Sequence, residues 1–119
     1  MVIKNITFLL NQFLHSSAFE TVLFCWVLHQ QEIWDAILAG LHPGSWRLYP
    51  VCLTAQPEIL QARLQSDIDC GKREPDVLSR SLDRLEACRK LPVFQLDTSA
   101  LSPEQVAEAI LTYGRKAYI

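Results

Sequence analysis

Residues 21–28 read Thr-Val-Leu-Phe-Cys-Trp-Val-Leu. The run is continuous, apolar, and rich in β-branched and aromatic side chains. Polar residues bound it: Ser16, Ser17 and Glu20 before, His29, Gln30, Gln31 and Glu32 after. No alternation marks a wet face, so the run predicts a strand buried on both sides, as in a parallel sheet with helices above and below. Ligands of open α/β sheets sit outside the carboxyl ends of the strands. That places Trp26 and His29 at an informative position. Two readings stay open for them. Trp26 is core and His29 bonds to backbone at a helix start, or the two form the floor of a substrate pocket.

The rest of the chain is read around that strand. Its 119 residues fit a single domain, 1–119. Half are hydrophobic and a fifth charged, the balance of a globular chain rather than a disordered one. A formal net charge of -2 gives no global pull toward nucleic acid or anionic lipid. No apolar run approaches the roughly 20 residues a bilayer requires, and Met-Val-Ile-Lys-Asn lacks the layout of a secretory leader. The expectation is a cytoplasmic protein that binds neither nucleic acid nor membrane. Cys25, Cys52, Cys70 and Cys88 show no C-x-x-C or zinc-finger spacing. They read as reduced thiols, and no metal site is expected.

Helix and strand signals alternate along the chain. Ile3, Ile6, Leu10, Phe13 and Leu14 give Val2–His15 one apolar helical face, with Asn11 falling off it. A second helix is expected at about Gln30–Leu41, on Ile33, Trp34, Ile37, Leu38 and Leu41. Trp46–Thr54 is a strand candidate, cleanest at Val51-Cys52-Leu53 because Pro50 cannot donate to a ladder. Pro57 suits a helix first turn, Leu60, Leu64 and Ile68 stack along that helix, and Gly71 offers a left-handed stop. A helix from about Pro75 to Arg89 turns Leu78, Leu82 and Leu85 inward, and Pro92–Leu96 is the third strand candidate. Ser102-Pro103-Glu104-Gln105 predicts a capped helix start, with Val106, Ile110 and Tyr113 inside and Gly114 at the end. The order α-β-α-β-α-α-β-α argues for an α/β fold, a three-layer α/β/α arrangement on a parallel sheet.

Seven of the eleven basic residues fall between Arg63 and Lys90, interleaved with acids. Locally this is a solvated helical pair laced with ion pairs such as Asp76 with Arg80. The alternative is a flap whose arginines reach a polyphosphate, since guanidinium pairs bidentately with phosphate oxygens. Arg73 and Arg80 occupy the flap positions. Asp97-Thr98-Ser99 after the last strand reads as a capping loop, or as a platform for a nucleotide base.

This ordered set resembles the P-loop small-molecule kinases of the nucleoside, nucleotide and shikimate kinase type, and more narrowly AAA-domain nucleotide-kinase-like proteins of bacteria. The resemblance covers Val22 to Ile110. It rests on Val22–Val27 with His29-Gln30-Gln31-Glu32-Ile33, on Leu60-x-x-Arg63-Leu64, Asp67, Gly71, Arg73, Asp76-Val77, Arg80-Ser81 and Arg84-Leu85, and on Leu96–Ser99 with Ser102-Pro103-Glu104. It implies ATP and Mg as cofactors and a small-molecule phosphate acceptor. Arg73 and Arg80 would act from the lid, Asp97, Thr98 and Ser99 beside the adenine, and Trp26 and His29 at the acceptor.

The chain departs from the family at the phosphate loop. G-x-x-x-x-G-K-[ST] is absent, and none of the four glycines precedes a Lys-Ser or Lys-Thr pair. That loop supplies the amides, lysine and hydroxyl that hold the phosphates and Mg. In the family it follows a first strand upstream of Met1, so the resemblance implies an N-terminally shortened, incomplete P-loop NTPase-like fold. The strand pair flanking that position, Thr21–Leu28 and Val51–Leu53, would then pair with each other, be filled by a partner, or remain frustrated. Two functions follow as expectations: a fragment of an ATP-dependent kinase, inactive or very weak alone, or a non-catalytic α/β interaction module. An exposed sheet edge would favour the second, including association between copies of the chain.

Overall fold

In the computed structural model the described residues are 2–116, and they form five helices and a two-stranded parallel sheet. The expected three-layer α/β/α sheet is not formed. The chain divides into two compact units, Met1–Leu48 and Tyr49–Ile119. Among the described residues no helix is long and apolar enough to cross a membrane.

The first unit holds α1 (Val2–Leu14) and α2 (Gln31–Gly40). Both match the apolar periodicity of their sequences, yet the joint between them is polar. Asn11, off the apolar stripe, is the residue α1 buries. Its Nδ2 donates to the Gly40 carbonyl at 3.0 Å, and its Oδ1 accepts from the His42 amide at 2.8 Å. Those two bonds satisfy main-chain groups that the end of α2 would otherwise leave without a helical partner.

Between the two helices, Thr21–Leu28 is not a strand. Leu23 is 82% exposed, Trp26 43% and Val27 39%. The physical reason is the lack of a ladder. A strand needs a neighbour for its amides and carbonyls, and the other elements of this unit are helices, which offer no edge. The segment is tied down by a side chain instead: the Trp34 indole N–H donates to the Leu28 carbonyl at 2.9 Å. A continuous apolar run has the composition of a buried strand without specifying what it pairs with. The expected pairing of this run with Val51–Leu53 falls with it.

The second unit runs β1 (Val51–Thr54), α3 (Pro57–Asp69), α4 (Val77–Arg89), β2 (Phe94–Asp97) and α5 (Pro103–Lys116). β1 and β2 pair in parallel, Val51 opposite Phe94 through Thr54 opposite Asp97. A parallel pair requires a crossover, and α3 with α4 provides it. Gly71 closes α3 at φ 77°, a conformation glycine adopts without steric cost. The predicted capping box opens α5. The Ser102 amide donates to Gln105 Oε1 at 2.8 Å and the Gln105 amide to Ser102 Oγ at 3.2 Å. α5 continues through Gly114 rather than stopping there. A Cβ at that position would meet nothing within 4 Å, so the glycine is not forced by space.

The strand pair has two unlike faces. Cys52 and Thr54 are buried, on the side where α4 packs, and Gln95 on that face reaches α4 through its amide. Ala55, Leu64, Val77, Leu85 and Leu91 complete that core. The opposite face carries Val51, Leu53, Phe94 and Leu96. Tyr113 of α5 stacks on Phe94 with ring centroids 4.5 Å apart, while Leu53 stays 52% exposed.

Candidate functional site

The carboxyl ends of β1 and β2 converge on the loop Asp97-Thr98-Ser99, which the register places beside Thr54–Gln56. The Thr98 amide donates to the Thr54 carbonyl at 2.7 Å, extending the ladder by one bond, and the Thr98 hydroxyl donates to the same carbonyl at 2.8 Å. The Gln56 amide donates to Ser99 Oγ at 2.7 Å. That amide stands at the cap of α3, where a helix leaves donors unsatisfied.

Asp97 folds its carboxylate over this turn. Its Oδ1 accepts the Ser99 amide at 2.8 Å and its Oδ2 accepts Gln56 Nε2 at 3.3 Å. Hydrogen bonds from Ser99, side chain first and then amide, hold the Asp97 carboxyl below its ordinary value, with Gln56 and the charge of Arg89 assisting.

One arginine fastens this loop and a second the facing segment after β1. Arg63 of α3 spans Thr98, with Nη1 to Oγ1 at 3.0 Å and Nη2 to the carbonyl at 2.7 Å. Arg89 at the end of α4 donates Nη2 to the Ala55 carbonyl at 3.0 Å and pairs with Glu86. Neither residue was singled out from the sequence for this role. Their places in the charged stretch gave a charge and a helix, while the bonds that define them lie 34 and 35 positions away along the chain.

Arg73 and Arg80, expected at a lid, are engaged in ion pairs of their own. Arg73 Nε contacts Asp67 Oδ2 at 3.0 Å, closing the turn after α3. Arg80 meets Asp76 at 3.5 Å, the helical pair expected from their spacing. Both pairs are exposed, so each contributes about 1 kcal/mol at most. Trp26 and His29 belong to the first unit, on the segment that is not a strand. Trp26 is largely exposed. His29 is half-buried, and its Nδ1 is shut off from solvent without a hydrogen-bond partner. The structure therefore brings Asp97, Thr98 and Ser99 together with Gln56, Arg63 and Arg89.

This donor set does not fit a triphosphate or its Mg. The Ser99 and Thr98 hydroxyls, the Asp97 carboxylate and the Arg63 guanidinium already serve one another. Among the described residues no group of three or more His, Cys, Asp or Glu side chains is placed to hold a metal ion. No family model, curated protein or solved structure matches the chain.

Proposed function

We propose that the second unit works as a non-catalytic α/β interaction module, whose open strand pair receives an extended apolar segment of a protein partner. One observation carries this reading. β1 and β2 form a parallel pair in which, among the described residues, each strand is hydrogen-bonded on one side only, and Leu53 on its outer face is 52% exposed. Parallel sheets are ordinarily covered on both faces, and a free strand edge is a template for another chain. A partner strand would add main-chain bonds along the free edge of β1 and set its apolar side chains beside Leu53 on the outer face, the mode called β-augmentation.

Photo-crosslinking from position 53 of the full chain in its source cells tests the proposal. A partner peptide linked to residue 53, and lost when Phe94 is changed to Lys, is the expected result. Equal recovery with Phe94→Lys overturns it. A clean monomer by light scattering would remove a second copy of the chain as that partner.

A second reading, part of an ATP-dependent small-molecule kinase-like protein, is favoured by the parallel crossover that ends in Asp97-Thr98-Ser99, where α/β folds place ligands. Under it the loop contacts a nucleotide base through main-chain groups, with no phosphoryl transfer by this chain alone. Titrating ATP against the labelled chain should shift the amides of 97–99. Unmoved amides at millimolar ATP remove this reading. A large thermal shift with Mg-ATP that is lost in Arg73→Ala and Arg80→Ala would instead reveal a working phosphate site.

A further inference from the structure

Cys52 and Cys88 lie far apart in sequence, in no redox spacing, but the fold joins them. Cys52 points from the covered face of β1 toward α4, and Cys88 is the residue before the last of that helix. The two side chains adjoin where α4 meets β1, near enough for Cys88 to act on the Cys52 thiol. Their approach is fixed from both sides. α4 packs on β1. Gln95, the register partner of Cys52, donates its Nε2 to the Cys88 carbonyl at 2.9 Å and to the Leu91 carbonyl at 3.3 Å. Both sulfurs are in the free thiol state. Cys52 is buried and Cys88 only half-buried, so a small oxidant reaches Cys88 first.

We infer that Cys52 and Cys88 form a reversible intramolecular disulfide when the chain meets a hydroperoxide, a modification that staples α4 to β1. The order of events follows from the environments. Burial, with Cys88 adding, pushes the Cys52 thiol up to about 12, so Cys52 does not supply the first thiolate. Cys88 loses its proton and attacks the distal oxygen of the hydroperoxide. The O–O bond breaks, the proximal oxygen leaves as an alcohol after taking up a proton, and Cys88 becomes a sulfenic acid. The Cys52 sulfur then attacks the Cys88 sulfur. An S–S bond forms, the S–O bond breaks, and the oxygen leaves as water with the Cys52 proton. Two thiols are oxidised by two electrons in all, and one hydroperoxide is reduced to an alcohol and a water. A dithiol reductant reverses the linkage by exchange.

Cys25 and Cys70 are exposed and would confuse a thiol count, so the test uses the full chain with both changed to Ser. After hydrogen peroxide, the titre of free thiols in denaturant should fall from two per chain to none, and the intact mass by about 2 Da. A peptide carrying both Cys52 and Cys88 should appear and vanish with dithiothreitol. Free thiols that persist, or Cys88 gaining oxygen while Cys52 stays free, overturn the proposal. So does linkage found only between molecules. Should the double Ser variant fail to fold, peptide mapping of the unaltered chain answers the same question. Cys52→Ala supplies the control: without its partner Cys88 should proceed to the sulfinic acid, and unchanged products there overturn the pairing.

Discussion

Arg63 grips Thr98 by two oxygens at once, the hydroxyl through Nη1 at 3.0 Å and the carbonyl through Nη2 at 2.7 Å. One side chain of α3 thereby holds the turn that follows β2, and the same turn holds the Gln56 amide at the cap of α3 through Ser99. Changing Arg63 to Ala should lower the unfolding free energy read from denaturant titration by about 1 kcal/mol, a value kept small because the guanidinium is exposed. Arg63→Lys should recover less than half of the loss, since a point charge cannot reproduce the fork. Amide exchange at Thr98 and Ser99 should quicken in both variants.

Gly40 is required by a close approach. A Cβ there would stand 2.8 Å from Thr7 Cγ2 and 3.1 Å from Thr7 Cβ. Thr7 cannot swing aside freely, because its hydroxyl donates to the Ile3 carbonyl at 3.0 Å or the Lys4 carbonyl at 3.1 Å. Gly40→Ala should cost about 1–3 kcal/mol, against the direction of helix propensity. Adding Thr7→Ser, which keeps the hydroxyl and removes the methyl, should restore part of it. A double-mutant cycle on thermal unfolding measures that coupling.

His15 faces two carbonyls, Asn11 from Nδ1 at 2.9 Å and Pro43 from Nε2 at 3.1 Å, with the His42 ring 6.1 Å away. A neutral imidazole has one N–H, whereas the imidazolium donates to both carbonyls. The Pro43 carbonyl first, and the Asn11 carbonyl second, raise its pKa. A raised folded pKa means the stabilisation is complete below the ordinary value of 6.5 and lost as pH climbs through the folded value. The melting temperature lost in His15→Ala should therefore be larger near about pH 5.5 than near about pH 8.5. Proton NMR titration of the His15 ring should give a midpoint above that of His15 in the unfolded chain.

Cys52 predicts an alkaline effect of the same sign. Its thiol is raised from 9.0 to about 12 by burial first, with Cys88 adding to it. The folded chain keeps a proton that the unfolded chain releases, so stability falls between those values as pH rises. The slope should approach about 1.4 kcal/mol per pH unit at its steepest. Under reducing conditions Cys52→Ala should flatten that part of the profile, and an unchanged slope would assign the loss to other groups.

Local chemistry is legible in the sequence, whereas the three-layer sheet it suggests is not formed. The Ser102–Gln105 capping box, the stop at Gly71 and the Asp76–Arg80 pair all depend on residues within a few positions of one another. Thr21–Leu28 was misread because strand formation is settled by a partner, and the composition of a run carries no information about one. Asn11 was placed on the wet face for a related reason. Its burial is set by the Gly40 carbonyl and the His42 amide, which periodicity does not count. At the Asp97–Ser99 loop the residues can be named from the sequence, but not what they hold: Arg63 and Gln56 bond to them from positions far away along the chain.

Every rung of the β1–β2 ladder joins residues 43 positions apart in the chain. No hairpin can nucleate such a pair, and closing so long a loop costs entropy before any rung forms to offset it. The helices of the crossover must condense first and carry the strand ends to each other. A substitution that loosens the docking of α3 and α4 is therefore expected to slow closure of the ladder itself.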